Sequence, residues 1–98
     1  MLAELTHTDF EPHVGTVFDM HLNETECLAL ELTQVQAADL GYPAEARLGF
    51  SLVFSSRLPG HAPQRIYRLD HPGLGTLELF LVPIGRGAVG MQYQAVFG

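Results

Sequence analysis

An aspartate and a histidine stand side by side at positions 70 and 71, and they are the first candidates for chemistry in the chain. A catalytic dyad needs an imidazole that is held by a carboxylate and faces a nucleophile or a substrate. Adjacent side chains on a strand point to opposite faces, so Asp70 and His71 can pair easily only at a turn. The following Pro72, Gly73 and Gly75 are typical of a hairpin turn, with Pro72 fixing φ and Gly73 supplying a positive φ. We therefore expect Asp70 to have a structural role, accepting hydrogen bonds from the backbone of that turn.

Metal binding is the next possibility, because the chain has five histidines. No two of them have the H-x-H or H-x₃-H spacing that places two ligands together on a strand or a helix. Asp19 and His21 do share one face of a predicted strand, and with His71 they would form the site of a metal-dependent enzyme. We keep that as the last of three alternatives. The pattern as a whole predicts no metal, no cofactor and no catalytic residue.

The remaining nucleophiles and glycine-rich segments lack the context that their chemistry requires. Cys27 has the acidic neighbours Glu26 and Glu31, which disfavour a thiolate, so we expect a packing role for it. The serines lack the G-x-S-x-G elbow of a hydrolase. The run GRGAVG at 85–90 has no lysine and no following helix, which indicates a hairpin loop and not a phosphate loop. The sequence therefore predicts a protein that is not an enzyme.

The composition describes a sparsely charged globular chain. Of the 98 residues, 47% are hydrophobic and 16% are charged, and the net charge is −6. This predicts one domain, 1–98, and an acidic chain without a basic face is unsuited to nucleic acid. The single cysteine excludes an intramolecular disulfide, and no signal peptide or apolar run of about 18 residues is present. We expect a cytoplasmic protein that does not insert into a membrane, although it could be assembled into a surface or extracellular structure.

Short segments of period two dominate the chain after a brief helical start. Phe10 and Val14 share one face of the predicted helix, which ends at Gly15 and should plug an open end or seam of the sheet. The predicted strands are 16–22, 26–36, 48–56, 65–70, 76–84 and 91–97, with loops at 37–47 and 57–64. This spacing predicts an all-β, mainly antiparallel fold, a six-stranded small barrel or sandwich with one short N-terminal helix.

Four stretches carry a resemblance to a known family: LTHTDFEPHVGTVF, FSLVF, YRLDHPGLGTLELFLVPIG and YQAVFG. The chain resembles a family of small bacterial proteins classed as a domain of unknown function, and the likeness covers nearly its whole length. The most specific pieces are YRLDHPGLG and ELFLVPIG. The family's genes tend to lie near those of proteins resembling phage tail collars. The resemblance implies a link to surface fibres or tail-like assemblies, and it assigns no catalytic residue.

The strand 76–84 is unusual because both of its faces are apolar. One face carries Leu77, Leu79 and Leu81, and the other carries Phe80, Val82 and Ile84 together with Glu78. The second face requires a cover, which is the N-terminal helix, a long loop or another chain. The last strand is a candidate edge that could pair with a neighbour. The candidate interface therefore consists of Phe80, Val82, Ile84, Tyr93 and Phe97.

The leading hypothesis from the sequence is a non-catalytic structural or accessory protein of a phage-tail-like or surface-fibre assembly. It would act by protein–protein association through strands 76–84 and 91–97, with itself or with a tail-collar-like protein as partner. The alternative is a module that binds a small ligand in a barrel mouth. That mouth would be lined by Phe50, Phe54, Tyr67 and Tyr93.

Overall fold

A computed structural model describes residues 7–37, 50–57, 62–87 and 90–97. The chain starts with a single helical turn, α1 (His7–Phe10), which continues as a 3₁₀ turn over Glu11–His13. Six strands follow: β1 (Val17–His21), β2 (Cys27–Ala37), β3 (Phe50–Ser56), β4 (Arg65–His71), β5 (Gly75–Arg86) and β6 (Met91–Phe97). Within the described residues, neither helical segment has the length or the apolar composition needed to cross a membrane.

The six strands close into an antiparallel barrel in the order β1-β2-β3-β6-β5-β4. Closure confirms the predicted all-β class and selects the barrel over the sandwich. It also makes the predicted edge strand wrong, because β6 pairs with β3 on one side and with β5 on the other. A closed barrel leaves no unpaired strand edge for a neighbouring chain to extend.

Alternate residues of each strand point into the barrel, as the period of two predicts. The alternation predicts that the leucines of each of two strands share one face. These are Leu28, Leu30 and Leu32 on β2, and Leu77, Leu79 and Leu81 on β5. All six are buried in one continuous core. The alternate residues of these strands, such as Cys27 and Glu78, face outward and are exposed. The barrel is therefore filled by apolar side chains from every strand.

The N-terminal segment closes one end of this barrel through Phe10. Its ring is 0% exposed and lies 5.9 Å from the ring of Phe50 and 5.8 Å from that of Phe97, between ring centroids. The predicted plug is confirmed for Phe10. Val14 does not share this face, because α1 ends at Phe10, and it is 45% exposed. The helical segment leaves Phe80 half exposed, so the prediction that the helix covers the outer face of β5 is wrong.

Candidate functional site

The outer wall of the barrel carries an apolar row across three neighbouring strands. Ile66 on β4 is 64% exposed and is the register partner of Phe80 on β5, which is 50% exposed. Val96 on β6 is 72% exposed and lies two residues beyond Gln94, the register partner of Val82. We call Ile66, Phe80 and Val96 the apolar row. It is the largest departure of this wall from the polar outer face that a solvated barrel normally presents.

Val82 and Ile84 extend the apolar row along β5 in different ways. Val82 is half-buried, and it continues the outward alternation from Phe80. Ile84 has no register partner on β6, because the pairing passes from Pro83↔Tyr93 to Gly85↔Gln92. Proline cannot donate to the ladder and is tolerated at such a bulge. The bulge leaves Ile84 46% exposed at the end of the row.

Two of the five candidate interface residues point inward and do not belong to this surface. Tyr93 is fully buried, and its hydroxyl accepts a hydrogen bond from the Ala62 backbone N–H at 2.8 Å. Phe97 is stacked on Phe50 with ring centroids 4.4 Å apart, next to the Phe10 plug. Both positions follow the inward alternation of β6, so the candidate interface is reduced to its β5 members. The sequence missed Ile66 and Val96, whose outward phase on β4 and β6 was readable from the same alternation.

The four aromatic residues predicted to line a ligand-binding mouth all lie in the core. Phe50, Phe54, Tyr67 and Tyr93 are each at most 4% exposed. Tyr67 donates its hydroxyl proton to the Pro63 carbonyl oxygen at 2.5 Å, so both tyrosine hydroxyls hold the segment that precedes β4. These side chains are packed in the interior of the barrel and do not line an open mouth.

A second feature of the outer wall is a polar cluster around His21. The His21 Nε2 atom lies 2.5 Å from Asp70 Oδ2. Its Nδ1 atom lies 3.3 Å from Cys27 Sγ and 3.3 Å from the Arg68 guanidinium. Asp70 also accepts a hydrogen bond from the Thr76 hydroxyl at 2.8 Å. The His21 and Thr76 hydrogen bonds hold the pKa of the Asp70 carboxyl below its usual value.

The β1–β2 turn sets the register that creates this cluster. The Asn23 side-chain oxygen accepts hydrogen bonds from the backbone N–H groups of Thr25 and Glu26, both at 2.9 Å. No described non-glycine residue has a positive φ, so Asn23 shapes the turn through its side chain. The resulting hairpin pairs His21 with Cys27. On its other side His21 pairs with Arg68 of β4, which places three strands around one imidazole.

The structure does not assemble the metal site that the sequence kept as a last alternative. Asp19 and His21 point outward from β1, whereas His71 is buried on the inner side of β4. The barrel wall therefore separates the two histidines. Across the described parts of the chain, no group of three or more His, Cys, Asp or Glu side chains could hold a metal ion.

A comparison with family models identifies the chain. A model described as "Domain of unknown function (DUF6916)" matches residues 5–97, which is nearly the whole sequence. The chain belongs to this family. No curated protein and no solved structure matches it. The DUF6916 barrel must therefore be interpreted from its own residues.

The β4–β5 turn of the DUF6916 barrel is organised by His71 and not by Asp70. The His71 Nδ1 atom accepts hydrogen bonds from the backbone N–H groups of Gly73 and Leu74, at 2.9 and 3.3 Å. Asp70 points to the outer wall, so its predicted contact with the turn backbone is wrong. The positive φ that was predicted for Gly73 is found at Gly75 instead, where φ is +78°. A Cβ at Gly73 would lie 2.9 Å from the His13 ring, which would have to shift to make room.

His71 is held as a neutral imidazole by partners on both nitrogens. Thr16 donates its hydroxyl proton to the His13 carbonyl oxygen at 2.6 Å, so its Oγ1 is left to accept from His71 Nε2–H at 2.9 Å. The Nδ1 atom is already an acceptor, and a second ring proton would have no place there. Burial, followed by the neighbouring His13, lowers the pKa of His71 from its ordinary value of 6.5.

This arrangement predicts a loss of stability in mild acid. The unfolded chain takes up a proton at His71 near pH 6.5, whereas the folded chain resists it until the pH reaches the lowered pKa. The free energy of unfolding should therefore fall as the pH decreases from about 6.5 towards that value. In His71→Asn the side-chain oxygen can replace the Nδ1 acceptor without titrating. Urea unfolding at a series of pH values should show that the free energy of unfolding falls less steeply with decreasing pH in this variant than in the wild type. Equal slopes in the two proteins would contradict the assignment.

Proposed function

We propose that this DUF6916 domain is a non-catalytic structural or accessory protein that works by protein–protein association, in a tail-like or surface-fibre assembly. The observation that carries the proposal is the apolar row formed by Ile66, Phe80 and Val96, each at least half exposed. The setting in a tail-like assembly is suggested by the family resemblance of the sequence. The association itself is argued from the outer wall alone.

The proposed association uses side chains of the barrel wall. Each strand has a hydrogen-bonded neighbour on both sides, so an additional strand from a partner has no free edge to join. The apolar row provides the alternative, since its members face outward from the neighbouring strands β4, β5 and β6. Phe80 stands at its centre, and aromatic side chains surrounded by smaller apolar ones are typical energetic centres of protein interfaces.

The row would supply the apolar centre of an interface and only part of its binding energy. Complete burial of a large apolar side chain contributes about 1.5–3 kcal/mol, so covering the exposed half of Phe80 contributes roughly 1 kcal/mol. Ile66 and Val96 each have a larger exposed fraction than Phe80. Removing all three from water together would give a compact interface core, to which the surrounding contacts add shape complementarity.

The first partner to test is a second copy of the same chain. Next to the Ile66↔Phe80 pair, β4 and β5 pair Arg68 with Glu78, so the row is flanked by charges of both signs. A patch of this kind is self-complementary under a two-fold axis, where the arginine of one copy can face the glutamate of the other. The overall charge of −6 is therefore not concentrated on this part of the wall.

Sedimentation velocity over a range of protein concentrations tests the proposal. The wild-type chain should associate, and Phe80→Lys should weaken that association at least about tenfold because it places a charge in the centre of the row. Val17→Lys is the matched control: Val17 is 51% exposed, compared with 50% for Phe80, but it lies on β1, outside the row. Circular dichroism should show folded barrels in both variants. A wild-type chain that stays monomeric at high concentration, or a Phe80→Lys variant that associates normally, would overturn the proposal.

A further inference from the structure

The polar cluster on the outer wall has the composition and geometry of an activated thiol. Three neighbouring strands each supply one member: Cys27 from β2, His21 from β1 and Asp70 from β4. The Cys27 Sγ atom lies 3.3 Å from His21 Nδ1, and His21 Nε2 lies 2.5 Å from Asp70 Oδ2. A nucleophile within reach of a base, with the base oriented by a third group, is the general arrangement that activates a side-chain nucleophile.

The partners of the imidazole determine which nitrogen carries its proton. Nε2 faces the Asp70 carboxylate, which only accepts, so Nε2 is the protonated nitrogen. Nδ1 faces the Arg68 guanidinium, which only donates, so Nδ1 is an acceptor. Cys27 reaches the same Nδ1 atom at the same distance of 3.3 Å, so its S–H shares this acceptor with the Arg68 guanidinium and can pass its proton to Nδ1. The carboxylate on the far side stabilises the imidazolium that forms when Nδ1 takes this proton.

The acidic neighbours that argued against a reactive cysteine are held elsewhere. The Glu26 carboxylate accepts a hydrogen bond from the Asn23 amide at 2.8 Å within the β1–β2 turn. Glu31 lies four residues after Cys27 on β2, and its carboxylate is 3.9 Å from the Arg57 guanidinium. Charged groups on the neighbouring strands include Asp19 on β1 and Arg68 and Asp70 on β4. Of these, the Arg68 guanidinium is next to the imidazole and can balance the charge of a thiolate.

We infer that Cys27 is a reactive thiol that forms mixed disulfides with low-molecular-weight disulfides, with His21 as its general base and Asp70 as the residue that positions the imidazole. Cys27 is exposed on the convex wall, so a small disulfide can approach its sulfur directly from solvent. The inference is tested separately from the proposed association: the apolar row contains none of these three residues, the two proposals share only Arg68, and they are checked by different measurements.

The reaction balances without any other reagent. The Cys27 S–H proton moves to His21 Nδ1, and the thiolate attacks one sulfur of the disulfide RS–SR. A new bond forms between Cys27 Sγ and that sulfur while the original S–S bond breaks. The leaving thiolate takes the proton from His21 and departs as RSH. The disulfide is thus reduced, Cys27 is oxidised to the mixed disulfide, and the imidazole returns to its starting state.

The rate of reaction with dithiodipyridine tests this inference, because the released thione is followed by its absorbance and the chain has a single cysteine. An unassisted thiol is only a few per cent thiolate at neutral pH, so the folded protein should react about tenfold faster than the same chain unfolded in guanidinium chloride. His21→Gln should lose this advantage. Asp70→Asn should lose part of it, and its rate should respond to pH differently from that of the wild type. Mass spectrometry after incubation with oxidised glutathione should show one added glutathionyl group.

Asp19→Asn is the matched control for the electrostatic effect of Asp70. Asp19 and Asp70 are register partners on β1 and β4, so both substitutions remove one carboxylate from the same part of the wall. Of these two carboxylates, Asp70 is the one that is hydrogen-bonded to His21. Asp19→Asn should therefore react at close to the wild-type rate. Equal rates for the wild type and a folded His21→Gln variant, or a folded wild type no faster than the unfolded chain, would overturn the inference.

Discussion

Replacing Phe10 with alanine should lower the free energy of unfolding by about 3–5 kcal/mol, the range observed when a buried phenylalanine is truncated. Its ring is fully buried between Phe50 and Phe97 at the end of the barrel. Truncation removes the ring's own burial and also leaves a cavity against two large aromatic neighbours. The segment that carries Phe10 is one helical turn followed by a 3₁₀ turn, so it has little stability of its own with which to compensate.

The measurement is urea unfolding followed by far-ultraviolet circular dichroism, with Val14→Ala as the control. Val14 belongs to the same segment, but it is 45% exposed, so its truncation should change the free energy of unfolding by no more than about 0.5 kcal/mol. A large difference between the two variants would establish that the segment acts as a plug through one side chain. If both variants lost the same small amount, the N-terminal segment would be dispensable for the barrel.

The parts of the fold that sequence analysis predicted correctly are those set by local periodicity. Leu28, Leu30 and Leu32 alternate with polar or small residues, and a strand with one buried face is the structure that satisfies this pattern. The antiparallel class followed from short connections such as Asn23–Glu26. Barrel closure did not follow, because it depends on β6 finding two partners at once, and neither partner is marked in the sequence of β6 itself.

The N-terminal helix, one of the covers considered for strand β5, is excluded for a related reason. Phe10 and Val14 are four residues apart and share a face only if the helix continues through both of them. Pro12 lies in a 3₁₀ turn directly after Phe10, and the α-helix ends before Val14 is reached. The segment was consequently too short to lie along the outer face of β5, and it inserts one ring into the end of the barrel instead.

The cluster of Cys27, His21 and Asp70 was not predicted from the sequence, because Asp70 is far from the other two residues along the chain. His21 and Asp70 are separated by 49 residues, and only the β1–β4 register brings them together. The contact between His21 and Cys27 was more accessible, since the two residues flank the predicted β1–β2 turn. A hairpin register counted outward from that turn would have paired them across the strands. The acidic neighbours of Cys27 in the sequence, Glu26 and Glu31, instead indicated an unreactive thiol.

Replacing Gly90 with alanine should destabilise the barrel by about 3 kcal/mol, at the upper end of the cost of overpacking. A Cβ atom at this position would lie 1.8 Å from the Ser56 carbonyl oxygen and 2.9 Å from its carbonyl carbon. These are backbone atoms at the end of β3, so they cannot move aside as a side chain would. Relief requires β3 and β6 to separate next to the Ser56↔Met91 pair, which weakens one of the two seams that close β6 into the barrel.

Gly87→Ala is the control for Gly90→Ala, because it adds the same methyl group to the same connection. A Cβ at Gly87 would meet only the side chain of Gln92, with a closest distance of 2.7 Å, and that flexible side chain can rotate away. Its free energy of unfolding should stay within about 0.5–1 kcal/mol of the wild-type value. Because the two variants have the same composition, a larger loss in Gly90→Ala must come from the close approach to β3. Equally small losses in both variants would show that the β5–β6 connection tolerates a Cβ at both positions, and would contradict the prediction.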